Sequence, residues 1–252
     1  MLVHPLMEQL TQLRLRGMRD ALEEQLKNPQ YAELPFEDRL GLLVESESIR
    51  RHNNRRTRRL QQARLKERAR IEEFDFTGGR GVERAQVLEL TGCQWLHRHL
   101  NVIVLGPTGA GKTFLACALG HAACVNDFGV RYLHTSRLLT ELALARADGS
   151  YPKLLDSLAK TPLLILDDWL RDPLTAVQSR DLLEVLDDRY RAASTLLATQ
   201  VPVDAWHERL ADPTLADAIL DRLVHSAYRL QLKGESRRKT HSPLTHAAHQ
   251  EL

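Results

Sequence analysis

The 252 residues are 43% apolar and 27% charged with a net charge of +2, ordinary for a globular chain holding one large domain, or a medium one beside a small one. No apolar run approaches the ~18 residues of a membrane span and the N-terminus lacks a signal-peptide core, so a cytoplasmic protein with no membrane partner is expected. Cys93, Cys117 and Cys124 are too few and too irregularly spaced for a disulfide framework or a zinc site, and read as buried thiols in a reducing compartment.

Along the chain, the first seventy residues read as helical. Leu6, Leu10 and Leu13 form one stripe, and Leu15, Met18, Leu22 and Leu26 a second. Asn28-Pro29 ends that helix, Leu34-Pro35 restarts the chain, and Phe36, Leu40, Leu43 and Val44 mark another helix that can run on. It runs into a strongly basic segment over 50–70: Arg50, Arg51, Arg55, Arg56, Arg58, Arg59, Arg64, Lys66, Arg68 and Arg70, opposed by Glu67 alone. Since the whole chain carries only +2, the remainder is net acidic. Ten cations so placed can neutralise DNA phosphates, and about six contacts would give a log K against log salt slope near −5. Aromatic residues and base-reading spacing are absent there, so duplex binding without sequence preference is expected. The bland alternative is a solvated helix face, or a contact with an acidic partner. The expected organisation is a small helical domain over 1–71, a linker over 72–82 carrying Thr77-Gly78-Gly79, a domain over 83–240 and a polar tail over 241–252.

From residue 83 strands and helices alternate, which implies a parallel sheet flanked by helices, an α/β fold. Asn101–Leu105 is a strand-like run and Phe114–Ala123 a helix former. Between them Gly106, Pro107, Thr108, Gly109, Ala110, Gly111, Lys112 and Thr113 fit the phosphate-binding loop G-x-x-x-x-G-K-[ST] at every fixed position. A strand entering a glycine turn that opens a helix aims backbone N–H groups and a helix dipole at one anion. Lys112 would reach the β- and γ-phosphates of a nucleoside triphosphate, and Thr113 would ligate Mg²⁺. Strands follow at Val130–His134, Leu163–Leu166 and Thr195–Thr199, with helices at 136–147, 154–158 and 176–191, and a mixed helix and strand from Asp217 to Leu230. Leu163–Leu166 runs into Asp167 and Asp168. Acids at the carboxyl end of a buried parallel strand lie where open α/β sheets bind ligands. Asp167 would hold Mg²⁺ through its water shell, and Asp168 would orient or activate the attacking water. The histidines lack metal-ligand spacing, and Trp95, Trp169 and Trp206 read as packing anchors.

The loop GPTGAGKT and the strand LLILDDW resemble the IstB-like ATPases, and so do Arg180–Tyr190, Thr199–Val203 with Trp206-His-Glu208, Asp221–His225 and Lys233–Ser236. These are helper proteins of a two-component bacterial transposition system within the AAA+ group, close to the DnaC helicase loaders. Leu13–Met18 and the run after Phe36 extend the resemblance over nearly the whole chain. It implies a P-loop AAA+ domain preceded by a small helical one, ATP or ADP with Mg²⁺, a homo-oligomer on duplex DNA and a cognate transposase as partner. It further implies that Gln200 is the first sensor, Arg222 an arginine finger given in trans, and Arg238, or the adjacent Arg237, the second sensor. Two positions depart from the wider pattern: Asp168 replaces the usual glutamate, with a shorter reach and slow hydrolysis expected, and Leu170 replaces a common glycine. A replicative helicase loader is the nearest alternative. A DNA-coating protein cemented by nucleotide, or a small-molecule kinase, are more distant ones.

Overall fold

The computed structural model describes residues 3–76 and 81–234. Contacts divide the chain into two compact units, Met1–Arg58 and Arg59–Leu252.

In the first unit, α1 (Val3–Gln12) and α2 (Arg16–Lys27) precede the long α3 (Phe36–Ala63), whose C-terminal end belongs to the second unit. The break after α2 has a local cause. Asn28 leaves the helical region, its side chain accepts from the Gln30 N–H at 3.1 Å, and Pro29 opens a short 3₁₀ turn. α2 meets α3 where Gly17 presents no side chain: a Cβ there would stand 2.7 Å from Glu47 Cα. Glu47, buried between them, accepts from the Gly17 N–H at 2.7 Å and from Arg51 at 2.7 Å. Burial opposes its ionisation, but those hydrogen bonds outweigh burial and hold the carboxyl below its usual range.

The second unit begins within α3, not in the 72–82 stretch where composition places the change. The reason is packing: Ala63, Ala69, Ile71 and Phe74 are buried in the core of the sheet domain. There follow α4 (Arg84–Thr91), α5 (Gln94–His97), β1 (Asn101–Leu105), α6 (Lys112–Val125), β2 (Val130–His134), α7 (Thr135–Asp148), α8 (Tyr151–Ala159), β3 (Leu163–Asp167), α9 (Ala176–Arg189), β4 (Ser194–Thr199), α10 (Trp206–Arg209), α11 (Pro213–Val224) and β5 (Ala227–Gln231). The strands form one parallel five-stranded sheet in the order β2-β3-β4-β1-β5.

Alternation along each strand feeds two cores. Val102, Val104, Ile165 and Ala198 face α4, α5 and α6, where Cys93, Cys117 and Cys124 are buried. Ile103, Leu164, Leu166 and Leu197 face α7, α8, α9 and α11, with Trp169 and Trp206 in edge contact at 5.8 Å. All three tryptophans are core residues. This is the α/β sheet expected from the alternation. Its strand order fixes the site: β1, β3 and β4 are neighbours, so the loops leaving their carboxyl ends converge.

Candidate functional site

The turn from β1 into α6 depends on three glycines. Gly109 and Gly111 adopt φ of 82° and 95°, a region costly for any side chain, and Gly111 caps the N-terminus of α6. Gly106 is needed for close approach: a Cβ there would lie 2.7 Å from the Leu232 carbonyl oxygen. Lys112 closes the loop by donating to the Pro107 carbonyl at 2.9 Å. The result is a helix N-terminus with a lysine beside it, opening on a cleft of about 670 Å³.

Asp167 ends β3 fully buried. Its Oδ2 accepts from the Thr113 hydroxyl at 2.8 Å and from the Tyr132 hydroxyl at 2.6 Å, and its Oδ1 from the Asp168 N–H at 3.0 Å. These donors are all neutral. A buried carboxylate beside a threonine hydroxyl is a hard oxygen set, the chemistry that suits Mg²⁺. Tyr132 sits on β2, and its phenol is pushed well above its ordinary value by burial and by the hydrogen bond to Asp167, so it stays a donor.

Asp168 stands half-buried at the cleft in a left-handed conformation (φ 55°), with His134 Nδ1 and an Arg171 nitrogen each 3.4 Å from its Oδ2. Leu170, at the position where a glycine is common, also takes positive φ (51°) and is buried. Gln200, just past β4, accepts from the Thr108 hydroxyl at 2.5 Å, so it lies beside the phosphate loop. Thr108, Gly109, Gly111, Lys112, Thr113, Asp168 and Gln200 thus share one cleft.

Arg222 is elsewhere. Asn101, at the start of β1, donates to the Arg222 carbonyl at 3.0 Å, whereas the phosphate loop leaves the far end of that strand. Its guanidinium pairs with Asp187 and donates to the Ala218 carbonyl at 2.8 Å. The four residue steps from Asn101 to Leu105 alone span about 13 Å at ~3.3 Å per residue, beyond reach of the same chain's loop. Arg238 and Arg237 lie outside the described residues, as does the tail over 241–252.

Sequence reasoning did not single out Tyr132, His134, Arg171, Glu73 or Phe74. The first two come from β2, which the sheet order sets beside β3 with His134 level with Asp167. Glu73 and Phe74 line the cleft together with Lys66 and Glu67. Lys66, expected at DNA, thus also lines the cleft into which the phosphate loop opens. Of the other expected DNA contacts, Arg50, Arg51 and Arg59 pair with Asp20, Glu47 and Asp127 at 2.6, 2.7 and 2.5 Å. Arg55, Arg58, Arg64, Arg68 and Arg70 are exposed, and Arg56 partly so. No helix of the described residues is long and apolar enough to cross a membrane, and no His, Cys, Asp and Glu cluster among them could hold a metal on its own.

The family model described as IstB-like ATP binding protein matches residues 8–245. Among relatives, the insertion sequence ATP-binding protein y4pL of Sinorhizobium fredii is 46% identical over 239 residues, covering 95% of this chain and 98% of that one. The ATP-binding protein Rv3427c of an insertion sequence in Mycobacterium tuberculosis is 34% identical over 236 residues, covering 93% and 94%. Among solved structures, the DnaC helicase loader superposes with a TM-score of 0.54 at 20% identity, over 66% of this chain and 97% of that one. The replication initiator DnaA bound to AMPPCP and single-stranded DNA gives 0.55 at 17%, over 70% and 54%. Those two likenesses show the P-loop AAA+ fold.

Proposed function

The chain belongs to the IstB-like ATP-binding protein family of insertion sequences, and from that premise we propose that it is a nucleotide-gated ATPase that multimerises on duplex DNA and recruits or stimulates a transposase. Lys112 and the α6 N-terminus would hold the β- and γ-phosphates. Thr113 and Asp167 would hold Mg²⁺, which when bound neutralises phosphate charge. Asp168 would orient water, Gln200 would stand between the acids and the terminal phosphate, and Arg222 would complete the site of a neighbouring subunit. Arg238 is proposed as the second sensor on resemblance alone.

The observation that carries this reading is the separation of the two poles of the sheet. Phosphate loop and acids lie at the carboxyl ends of β1 and β3, while Arg222 lies beside the amino end of β1. An arginine so placed can serve a triphosphate only across a subunit interface, which makes turnover depend on assembly. DNA would supply the scaffold through the exposed arginines of the basic segment. Arg50 would first exchange Asp20 for a phosphate, and so open a pair is weak; Arg51 and Arg59 would have to leave pairs that are partly buried. Lys66, within that segment, lines the cleft, so DNA and nucleotide would report on each other. The insertion-sequence relatives match over 95% and 96% of the chain, too much to leave out the N-terminal unit, which favours transposition over helicase loading.

Sedimentation with a duplex of roughly 50 base pairs, longer than one subunit's footprint, tests the reading with no nucleotide, ADP, ATP and a non-hydrolysable analogue. Large complexes should form only with triphosphate and vanish in Lys112→Ala and Arg222→Ala. A monomer indifferent to ATP and DNA would overturn it, and a helicase loader would replace it.

A further inference from the structure

We propose that Arg171 is a phosphate-sensing residue of this cleft: it occupies Asp168 when no γ-phosphate is present and releases it when one binds. The inference rests on the nucleotide-site reading above and assigns a residue that neither the motifs nor the family resemblance singles out.

Three features point to it. Arg171 lines the same cleft as Lys112, Thr113 and Gln200. Its Nη1 stands 3.4 Å from Asp168 Oδ2, while its Nε and Nη2 reach Asp172 at 3.2 and 3.1 Å. The guanidinium is thus held by two carboxylates, one of which is the group expected to orient water. The backbone beneath it is pinned: the Arg171 carbonyl accepts from Arg209 at 2.6 Å, its N–H donates to the Asp168 carbonyl at 3.2 Å, and Leu170 before it is buried. A fixed backbone whose side chain is held only through exposed ion pairs is the arrangement of a switch rather than a strut.

The energetics favour exchange. The Arg171 and Asp168 side chains are 50% and 42% exposed, and ion pairs this open and this long are weak. A guanidinium hydrogen-bonded to a phosphate in two-pronged fashion is among the strong charge-assisted contacts. Arg171 therefore prefers a γ-phosphate to Asp168, and its departure leaves the Asp168 carboxylate to His134 and to water. A diphosphate lacks the γ-phosphate, so the pair with Asp168 persists. Arg171 thus acts on hydrolysis twice, by binding the γ-phosphate and by freeing Asp168.

The test is equilibrium binding of a fluorescent ADP and a fluorescent non-hydrolysable ATP analogue with Mg²⁺. It is run in an Arg222→Ala background, so that no contact comes from a neighbour. Arg171→Ala should lose about tenfold of the preference for triphosphate, or ~1.4 kcal/mol, through weaker triphosphate binding at unchanged ADP affinity. Arg171→Lys should keep part of the preference. Because the side chain is exposed, both variants should retain the parent's circular dichroism spectrum. An unchanged preference in Arg171→Ala, or an equal loss for both nucleotides, overturns the inference and leaves the site reading intact. A parent protein that binds neither nucleotide overturns both.

Discussion

Leu170 shows how a single residue can depart from a pattern without spoiling the site. Its positive φ costs an L-residue about 1–2 kcal/mol, which a glycine would avoid. Yet its side chain is buried beside Trp169 and Leu174 in the core under α9, and deleting a buried leucine costs about 3–5 kcal/mol. The packing outweighs the strain. Leu170→Gly should therefore lower stability by about 2 kcal/mol despite restoring the common residue, read as the shift in urea midpoint of the sheet domain. A stabilised variant would mean that the strain, and not the packing, dominates. Asp167 makes the complementary point. Its position after four apolar residues was legible, but Tyr132, which helps hold its carboxylate, was hidden within an ordinary strand pattern.

Among elements, the pairing of α2 with α3 turns on Gly17. The stripes Leu6-Leu10-Leu13 and Leu15-Met18-Leu22-Leu26 predicted the first helices, and the structure finds them at Val3–Gln12 and Arg16–Lys27. Periodicity alone does not say where two helices touch, because any face of a short amphipathic helix can serve. Here the contact is polar and glycine-mediated, with Glu47 accepting from the N–H groups of Gly17 and Met18 in the first turn of α2. The methyl of Gly17→Ala would meet the α3 backbone, which has no flexible end to yield. The variant should destabilise the N-terminal unit by about 1–3 kcal/mol. Two units can unfold separately, so limited proteolysis within residues 1–58 is the suitable measurement. Cleavage there should accelerate while the sheet domain stays intact; equal protection in variant and parent would contradict the packing.

Over the whole molecule, the three thiols record how thoroughly the layer beneath α6 is closed. Burial pushes Cys93, Cys117 and Cys124 each up to about 11. Between about pH 9, where unfolded thiols ionise, and 11 the unfolded chain holds fewer protons than the folded one, so stability falls as pH rises. Each thiol contributes up to about 1.4 kcal/mol per pH unit in that window and nothing below it. Melting temperature should drop above pH 9, and substituting Cys117 by Ala should flatten that drop. Native protein should resist alkylation at pH 8, whereas rapid labelling there would mean that the layer opens.

The phosphate loop, the acids ending β3 and the alternation of a parallel sheet were determined by sequence alone, because each is a local requirement. A glycine at positive φ, a lysine beside a helix N-terminus and an apolar strand ending in acid need no knowledge of distant neighbours. The strand order, the unit boundary inside α3 and the approach of Tyr132, His134, Arg171 and Lys66 to the cleft were decided only by tertiary structure. So was the placing of Arg222 at the opposite pole, fixed by Asn101 pinning the end of α11 to the start of β1. Those features depend on which buried faces meet, and one-dimensional periodicity specifies that a face is apolar but not what it packs against.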